Sequence, residues 1–381
     1  MDAVLRKLSP MSAATLLFAT MASTASADQV VKIGHFAPLT GMSAHVGKDD
    51  ENGARLAIEE INAKHLVIDG QKVTLELDGQ DDAADPKTGT VVAQKMVDDG
   101  VVAVVGSDMS STSIPAAKIF SDAGIVQISP GATNPDYTLL GYKTAFRVVG
   151  TDAQQGPALA NYAVKVLKAR TVAIVDDSTS YGQGLASQFE KGAKAQGATV
   201  LSHEATSDKA VDFRSILTRI KGEHPDVIMY GGEDATGGPF AKQAAQLGIR
   251  ARILAGDGVC TESLAQLAGT ATDNVVCCEA GMALSKMPGG AAFVEKYKTR
   301  FAQPIQIYAP YAYDSVYIIV DAMKRANSTN PAKILAAMPS THYKGVIGET
   351  AFDSKGDLQH GVISLFYYKK GEKTLIDVMQ M

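Results

Sequence analysis

Short β-branched runs alternate along the chain with longer stretches in which apolar residues recur every three or four positions. The run 30–34 predicts a strand and 47–64 a helix, because Ala54, Ala57, Ile58 and Ile61 fall on one helical face. The same alternation continues with a strand at 73–77, a helix at 86–99 opened by Pro86 and stopped by Gly100, and a strand at 101–105. A helix at 114–123 follows, with a Ser/Thr run before it and Gly124 after it, and then a strand at 126–128. A second series begins with a helix at 153–167. Strands at 172–175, 199–203, 227–230, 253–255 and 275–277 are then interleaved with helices at 182–196, 211–221 and 237–247. Helices at 291–301 and 311–326 and a late strand at 362–368 complete the pattern. Strands that alternate with helices imply parallel sheets covered on both faces. Two such series predict an α/β protein of two doubly wound parallel-sheet lobes. No low-complexity linker separates them, so the lobes are expected to be intimate.

Length agrees: 381 residues, at about 150 per domain, suggests two domains. A 46% apolar content excludes whole-chain disorder. The formal charge of −5 and the absence of a Lys/Arg block argue against a nucleic-acid or anionic-membrane partner. The N-terminus reads as a secretory signal peptide over 1–27. Arg6 and Lys7 form the positive end, 11–22 the apolar core, and Ala25-Ser26-Ala27 a small-x-small cleavage site. That core is too short to span a bilayer, which takes about 20 residues, and no later apolar run is long enough. An exported protein, periplasmic in a Gram-negative cell, is expected. Export permits a disulfide. Cys260 and Cys277 are the expected pair, with Cys278 as competitor, since adjacent strand residues point to opposite faces. Three reduced, buried thiols are the alternative.

In open α/β sheets ligands lie beyond the C-terminal ends of the strands, and there the polar residues gather. After Val105 comes Gly106-Ser107-Asp108-Met109-Ser110-Ser111-Thr112, and after Ile128 comes Ser129-Pro130-Gly131-Ala132-Thr133. The second series offers Asp176-Asp177 and Tyr181, then Gly231-Gly232-Glu233-Asp234, then Gly256-Asp257-Gly258. Ser110–Ser113 sits at a helix N-terminus, which suits a carboxylate as well as plain capping. Asp257, between glycines, is a candidate partner for an ammonium group or else a turn aspartate. The seven histidines are scattered, with no zinc-type pair, nucleophile elbow or Walker loop, so neither a metal, a cofactor nor an enzyme is expected. Asp81, Asp82 and Asp85 lack the spacing of a calcium loop.

Several stretches resemble one family. They are Asp82-Ala83-Ala84-Asp85-Pro86-Lys87, Ser113-Ile114-Pro115-Ala116, and Ile128-Ser129-Pro130-Gly131-Ala132-Thr133-Asn134-Pro135. Further on stand Tyr181-Gly182-Gln183-Gly184, Tyr230-Gly231-Gly232, Gly256-Asp257-Gly258-Val259-Cys260 and Phe352-Asp353-Ser354-Lys355-Gly356-Asp357. Together they make the chain from residue 28 onward similar to the leucine/isoleucine/valine-type periplasmic binding proteins of ABC importers. The resemblance implies a type I clamshell with three crossovers, one lobe from 28–148 plus 282–350 and the other from 149–281 plus 351–381. It implies that Ser110 and Thr133, with nearby main-chain N–H groups, hold an α-carboxylate. It further implies that the Gly131 carbonyl, the Thr133 hydroxyl and Asp257 hold the α-ammonium, and that Tyr181 covers the site. Met109 and Ala132 belong to the same ligand loops.

The side-chain pocket departs from that family. Asp108 and Glu233 stand where the branched-chain binders are apolar, and Val46 and Gln306 stand where they carry aromatics. Two readings stay open. In one, the ligand is a polar or cationic amino acid that meets Asp108 or Glu233. In the other, both carboxylates turn to water or local cations and the ligand is leucine-like. The expected partners are an amino acid and the permease and ATPase subunits of an importer, with the binding protein a monomer. The alternative function is a ligand-sensing receptor component on the same fold.

Overall fold

The computed structural model describes residues 28–381, so the expected signal peptide lies outside the described residues. The first sheet is built from β1 (Gln29–Ala37), β2 (Val67–Ile68), β3 (Gln71–Asp81), β4 (Ala103–Gly106), β5 (Val126–Ser129) and β6 (Ala145–Arg147). Its order is β2-β3-β1-β4-β5-β6, parallel throughout except for the β2–β3 hairpin. The second sheet starts with β7 (Thr171–Asp176), β8 (Thr199–Ala205), β9 (Val227–Gly231), β10 (Arg252–Ala255) and β11 (Val275–Glu279). A small hairpin of β12 (Tyr343–Lys344) and β13 (Glu349–Thr350) precedes β14 (Val362–Lys369) and β15 (Glu372–Gln380). The second sheet runs β15-β14-β11-β10-β9-β7-β8. Here the all-parallel expectation needs correction: β14 and β15 are antiparallel additions beside β11. A tight turn at Lys370 and Gly371 returns the chain directly, which favours a hairpin over another crossover.

The central strands β4, β5, β9 and β11 are buried at every position, as expected of parallel strands covered on both faces. The helix Pro86–Asp98 has the proline at its first turn, and the Asp85 side chain accepts from the Thr88 N–H at 2.7 Å. The Ser/Thr run, expected ahead of a helix, is instead its first turn: the helix is Ser110–Ala123, stopped by Gly124 at φ +68°. The hydroxyls of Thr112 and Ser113 bond the carbonyls of Met109 and Ser107, so they lock the helix start to the end of β4. The helix expected from Val211 begins at Arg214, because Asp212 forms a turn with the Arg214 N–H at 3.0 Å.

The chain passes between the sheets three times, after β6, after β11 and after β13. Two of these passages lie side by side, with the Gly150 N–H donating to the Ala280 carbonyl at 2.6 Å. The third is tied in where the Arg147 N–H donates to the Gly356 carbonyl at 3.0 Å. Between the second and third passages the helix Ala309–Ala326 packs against the helix Ala44–Ala63 of the first lobe. A Cβ on Gly53 would lie 2.1 Å from the Ala309 carbonyl, so this contact requires glycine. The disulfide joins Cys260 to Cys277, and Cys278 is free and buried. On β11 the two cysteines face opposite ways, which leaves only Cys277 on the side of Cys260.

Candidate functional site: the cleft between the lobes

The ends of β4, β5, β7, β9 and β10 deliver the polar loops to one cleft. From the first lobe, Ser110 opens its helix and accepts from the Asn134 N–H at 3.2 Å, which joins the two ligand loops. The amides of Ser110 and Ser111 have no partner among the described residues, so the helix start offers free donors. The Gly131 and Ala132 amides are spent on the Ser129 hydroxyl, at 3.3 and 2.8 Å. The Thr133 hydroxyl is fully buried and unpartnered. Arg147, itself buried, fixes this loop: it donates to the carbonyls of Ala132 at 2.7 Å and Asn134 at 2.9 Å, and pairs with Asp357 at 2.5 Å.

From the second lobe comes Asp257, in a short turn after β10. Its Oδ1 accepts from Gln155 Nε2 at 2.8 Å and Tyr181 Oη at 2.9 Å, and its Oδ2 from Tyr308 Oη at 2.8 Å. Tyr181 Oη also accepts from the Gly258 N–H at 3.0 Å. A Cβ on Gly258 would sit 2.6 Å from Glu233 Oε2 and 2.9 Å from the Tyr181 ring, so glycine lets both side chains lie against this turn. Burial raises the Asp257 carboxyl even against these donors. Burial likewise lifts Asp108, Asp152 and Glu233 well above the usual carboxylate range, with neighbouring acids adding to it.

Met109, Ser110, Tyr181 and Glu233 border a cavity of about 290 Å³, closed on the other side by Thr40 and Met42. Asp108, Gly131, Ala132, Thr133 and Asp257 lie behind that lining, each at most 3% exposed apart from Gly131, which is also buried. Val46 is core, and Gln306 accepts from Ser263 at 3.2 Å. Two participants escaped the sequence reading. Gln155 lies inside a helix, and Tyr308 sits two residues beyond Gln306. What fixes Tyr308 is Asp49, whose Oδ2 accepts from the amides of Ile307, Tyr308 and Ala309 at 3.0–3.1 Å. The spacing of Gln306-Ile307-Tyr308 ahead of Ala309-Pro310 was the available signal, since Pro310 marks a helix start.

The lobes touch across the cleft. Besides Tyr308–Asp257, His45 Nε2 lies 2.8 Å from Asp234 Oδ2, and Asn134 Nδ2 donates to the Ser180 carbonyl at 2.5 Å. For His45, burial opposes protonation, but the hydrogen bond and charge of Asp234 outweigh it and raise the imidazole pKa.

Comparison with known proteins places this geometry. A family model described as periplasmic binding protein matches residues 30–371. The chain is 34% identical to the Leu/Ile/Val-binding protein homolog 1 of Brucella melitensis biotype 1, covering 91% of this chain and 92% of that one. It is 32% identical to the leucine-, isoleucine-, valine-, threonine- and alanine-binding protein of Pseudomonas aeruginosa, covering 94% and 95%. Among solved structures, the branched-chain amino acid transporter substrate-binding protein LivJ of Streptococcus pneumoniae, in complex with isoleucine, superposes with a TM-score of 0.84. That match has 27% identity and covers 93% of this chain and all of that one. With two α/β lobes, three crossings and a cleft built from the strand ends, the chain belongs to the periplasmic binding protein family.

Proposed function

We propose that this protein captures an amino acid between its lobes outside the cytoplasmic membrane and presents it to the permease and ATPase subunits of an ABC importer. The observation that carries this reading is Asp257, clamped by donors from both lobes. A carboxylate has about four acceptor sites; Gln155, Tyr181 and Tyr308 use three, and the fourth suits an α-ammonium. The Gly131 carbonyl and the Thr133 hydroxyl complete that subsite. Ser110, Thr133 and the free amides of Ser110 and Ser111 form the α-carboxylate subsite, where the helix dipole favours an anion. Tyr181 covers the ligand from the second lobe, with Met109 and Ala132 beside it. The amino acids named for the Pseudomonas aeruginosa relative and for LivJ agree with this chemistry.

In this reading the segment 1–27 is removed after Ala27, 28–148 with 282–350 closes on 149–281 with 351–381, and the protein acts as a monomer that binds and releases without altering its ligand. A thermal-shift panel of the common L-amino acids on refolded, ligand-free protein tests it. A ligand at about 100 times its Kd stabilises the fold by about 2.7 kcal/mol. Asp257→Asn is expected to weaken the best binder by about 10- to 100-fold, the value of a charge-assisted hydrogen bond. Silence across the whole panel overturns the proposal.

A further inference from the structure

The side-chain end of the cleft carries more carboxyl groups than the α-amino acid head can use. Glu233 borders the cavity and makes no side-chain hydrogen bond or ion pair among the described residues. It leans on the Asp257 turn, close to the position a Gly258 Cβ would take. In the first lobe Asp108, 3% exposed, stands immediately before the cavity-lining Met109 and Ser110, behind the wall of the cavity. Its Oδ1 takes the Ser107 hydroxyl at 3.2 Å, whereas its Oδ2 has no partner. The charge of Asp108 reaches Glu233, and both carboxyls act on Tyr308.

Among the described residues no Lys or Arg pairs with either carboxyl, and His35, the imidazole that acts on Asp108, is held toward its neutral form by burial. His45 is held by Asp234. Arg147 is spent on Asp357 and the loop carbonyls. Lys209, the one Lys or Arg among the lining residues, is exposed at the rim, and its charge acts on Asp85. With Asp257 assigned to the α-ammonium, Asp108 and Glu233 remain as unmatched acceptors beyond it. Burying an aliphatic side chain against them would strip their water and return nothing.

Resting on the amino-acid reading above, we propose that the captured amino acid carries a cationic side chain, an ammonium or guanidinium group that Glu233 and Asp108 receive from opposite lobes. The ligand thereby supplies the counter-charge that lets the two lobes meet. A dibasic amino acid brings two positive groups, one for Asp257 and one for the Glu233–Asp108 pair. Its α-carboxylate goes to Ser110 and Thr133.

Isothermal titration on the refolded, ligand-free protein with isosteric pairs decides this. L-Lysine is compared with L-norleucine, L-arginine with L-citrulline, and L-leucine is added as reference. The expected result is binding of lysine, ornithine or arginine, with the neutral isostere at least about tenfold weaker. Glu233→Gln and Asp108→Asn should each weaken the cationic ligand by about tenfold or more and narrow its lead over the isostere. Because both variants are isosteric and replace carboxyls that burial already drives toward the neutral form, loss of folding is not expected; thermal melts of the unliganded variants check this. Leucine, norleucine or citrulline binding as tightly as the basic partner overturns the charge class and leaves the amino-acid function standing. Silence with every amino acid overturns both.

Discussion

Single residues in this protein are set by burial more than by sequence neighbourhood. Asp314 illustrates it. It lies within the helix Ala309–Ala326 and accepts from the Val346 and Ile347 amides at 3.0 and 2.8 Å. Burial still raises its pKa to about 6. Because the folded pKa exceeds the unfolded value of about 3.9, the native state holds the proton more strongly. The stability contributed by this group is full below the unfolded pKa and declines as pH rises from about 4 to about 6. Asp314→Asn abolishes that titration. Urea midpoints measured at pH 4 and pH 7 should show the variant gaining about 2–3 kcal/mol relative to the parent over that interval; a pH-independent difference contradicts it. The loops that carry Asp108, Ser110, Thr133, Tyr181, Glu233 and Asp257 were legible because they follow strand ends, and the structure gathers those ends at one cleft. Gln155 and Arg147 were not, since a polar residue within a helix or strand carries no mark of what it will face. Only the fold brings Gln155 to Asp257, 102 positions away.

At the level of elements, legibility followed the strength of the apolar pattern. The fully buried strands and the long amphipathic helices were read within a few residues of their bounds. β2 and β6 were missed because two or three residues show no period. β15 was missed because this edge strand is nowhere fully buried and mixes Lys, Thr, Asp and Gln with its apolar residues. Where elements meet, backbone proximity decides. The helix Ala44–Ala63 approaches the helix start at Ala309 closely enough to exclude any side chain at Gly53. Gly53→Ala gains helix propensity of about 1 kcal/mol, but the clash is with backbone, which cannot swing aside. A net loss of about 1–3 kcal/mol is expected from overpacking. Chemical denaturation measures it, and an unchanged or raised midpoint would show that the two helices slide apart at no cost. Tyr308 rides on this contact, so the variant's affinity for ligand should fall as well.

For the molecule as a whole, the cleft is spanned by a few polar bridges in addition to any ligand. Asn134–Ser180, Ser263–Gln306 and His45–Asp234 lie outside the ligand subsites, and of these His45–Asp234 pairs an imidazole with a carboxylate. His45→Ala removes it without touching the proposed ligand contacts. The closed form loses one charge-assisted bond, so apparent affinity should drop by about three- to tenfold, mainly through faster dissociation. Stopped-flow release of bound amino acid reads this directly. An unchanged off-rate would mean that the bridge forms only after the cleft is already committed.

The Gly53–Ala309 contact also has a temporal meaning. A chain that emerges N-terminus first can assemble β1 to β6 once residue 147 is out, yet the helix that covers one face of that sheet begins at Ala309. In the interval the whole second sheet up to β11 must be made, while the apolar side of the helix Ala44–Ala63 waits uncovered. β14, which flanks β11, and β15 beyond it arrive last of all. Neither lobe can therefore be completed as an autonomous vectorial unit. The nascent protein passes through a long stage of incomplete burial, in which holding chaperones and the order of emergence govern yield as much as final stability does.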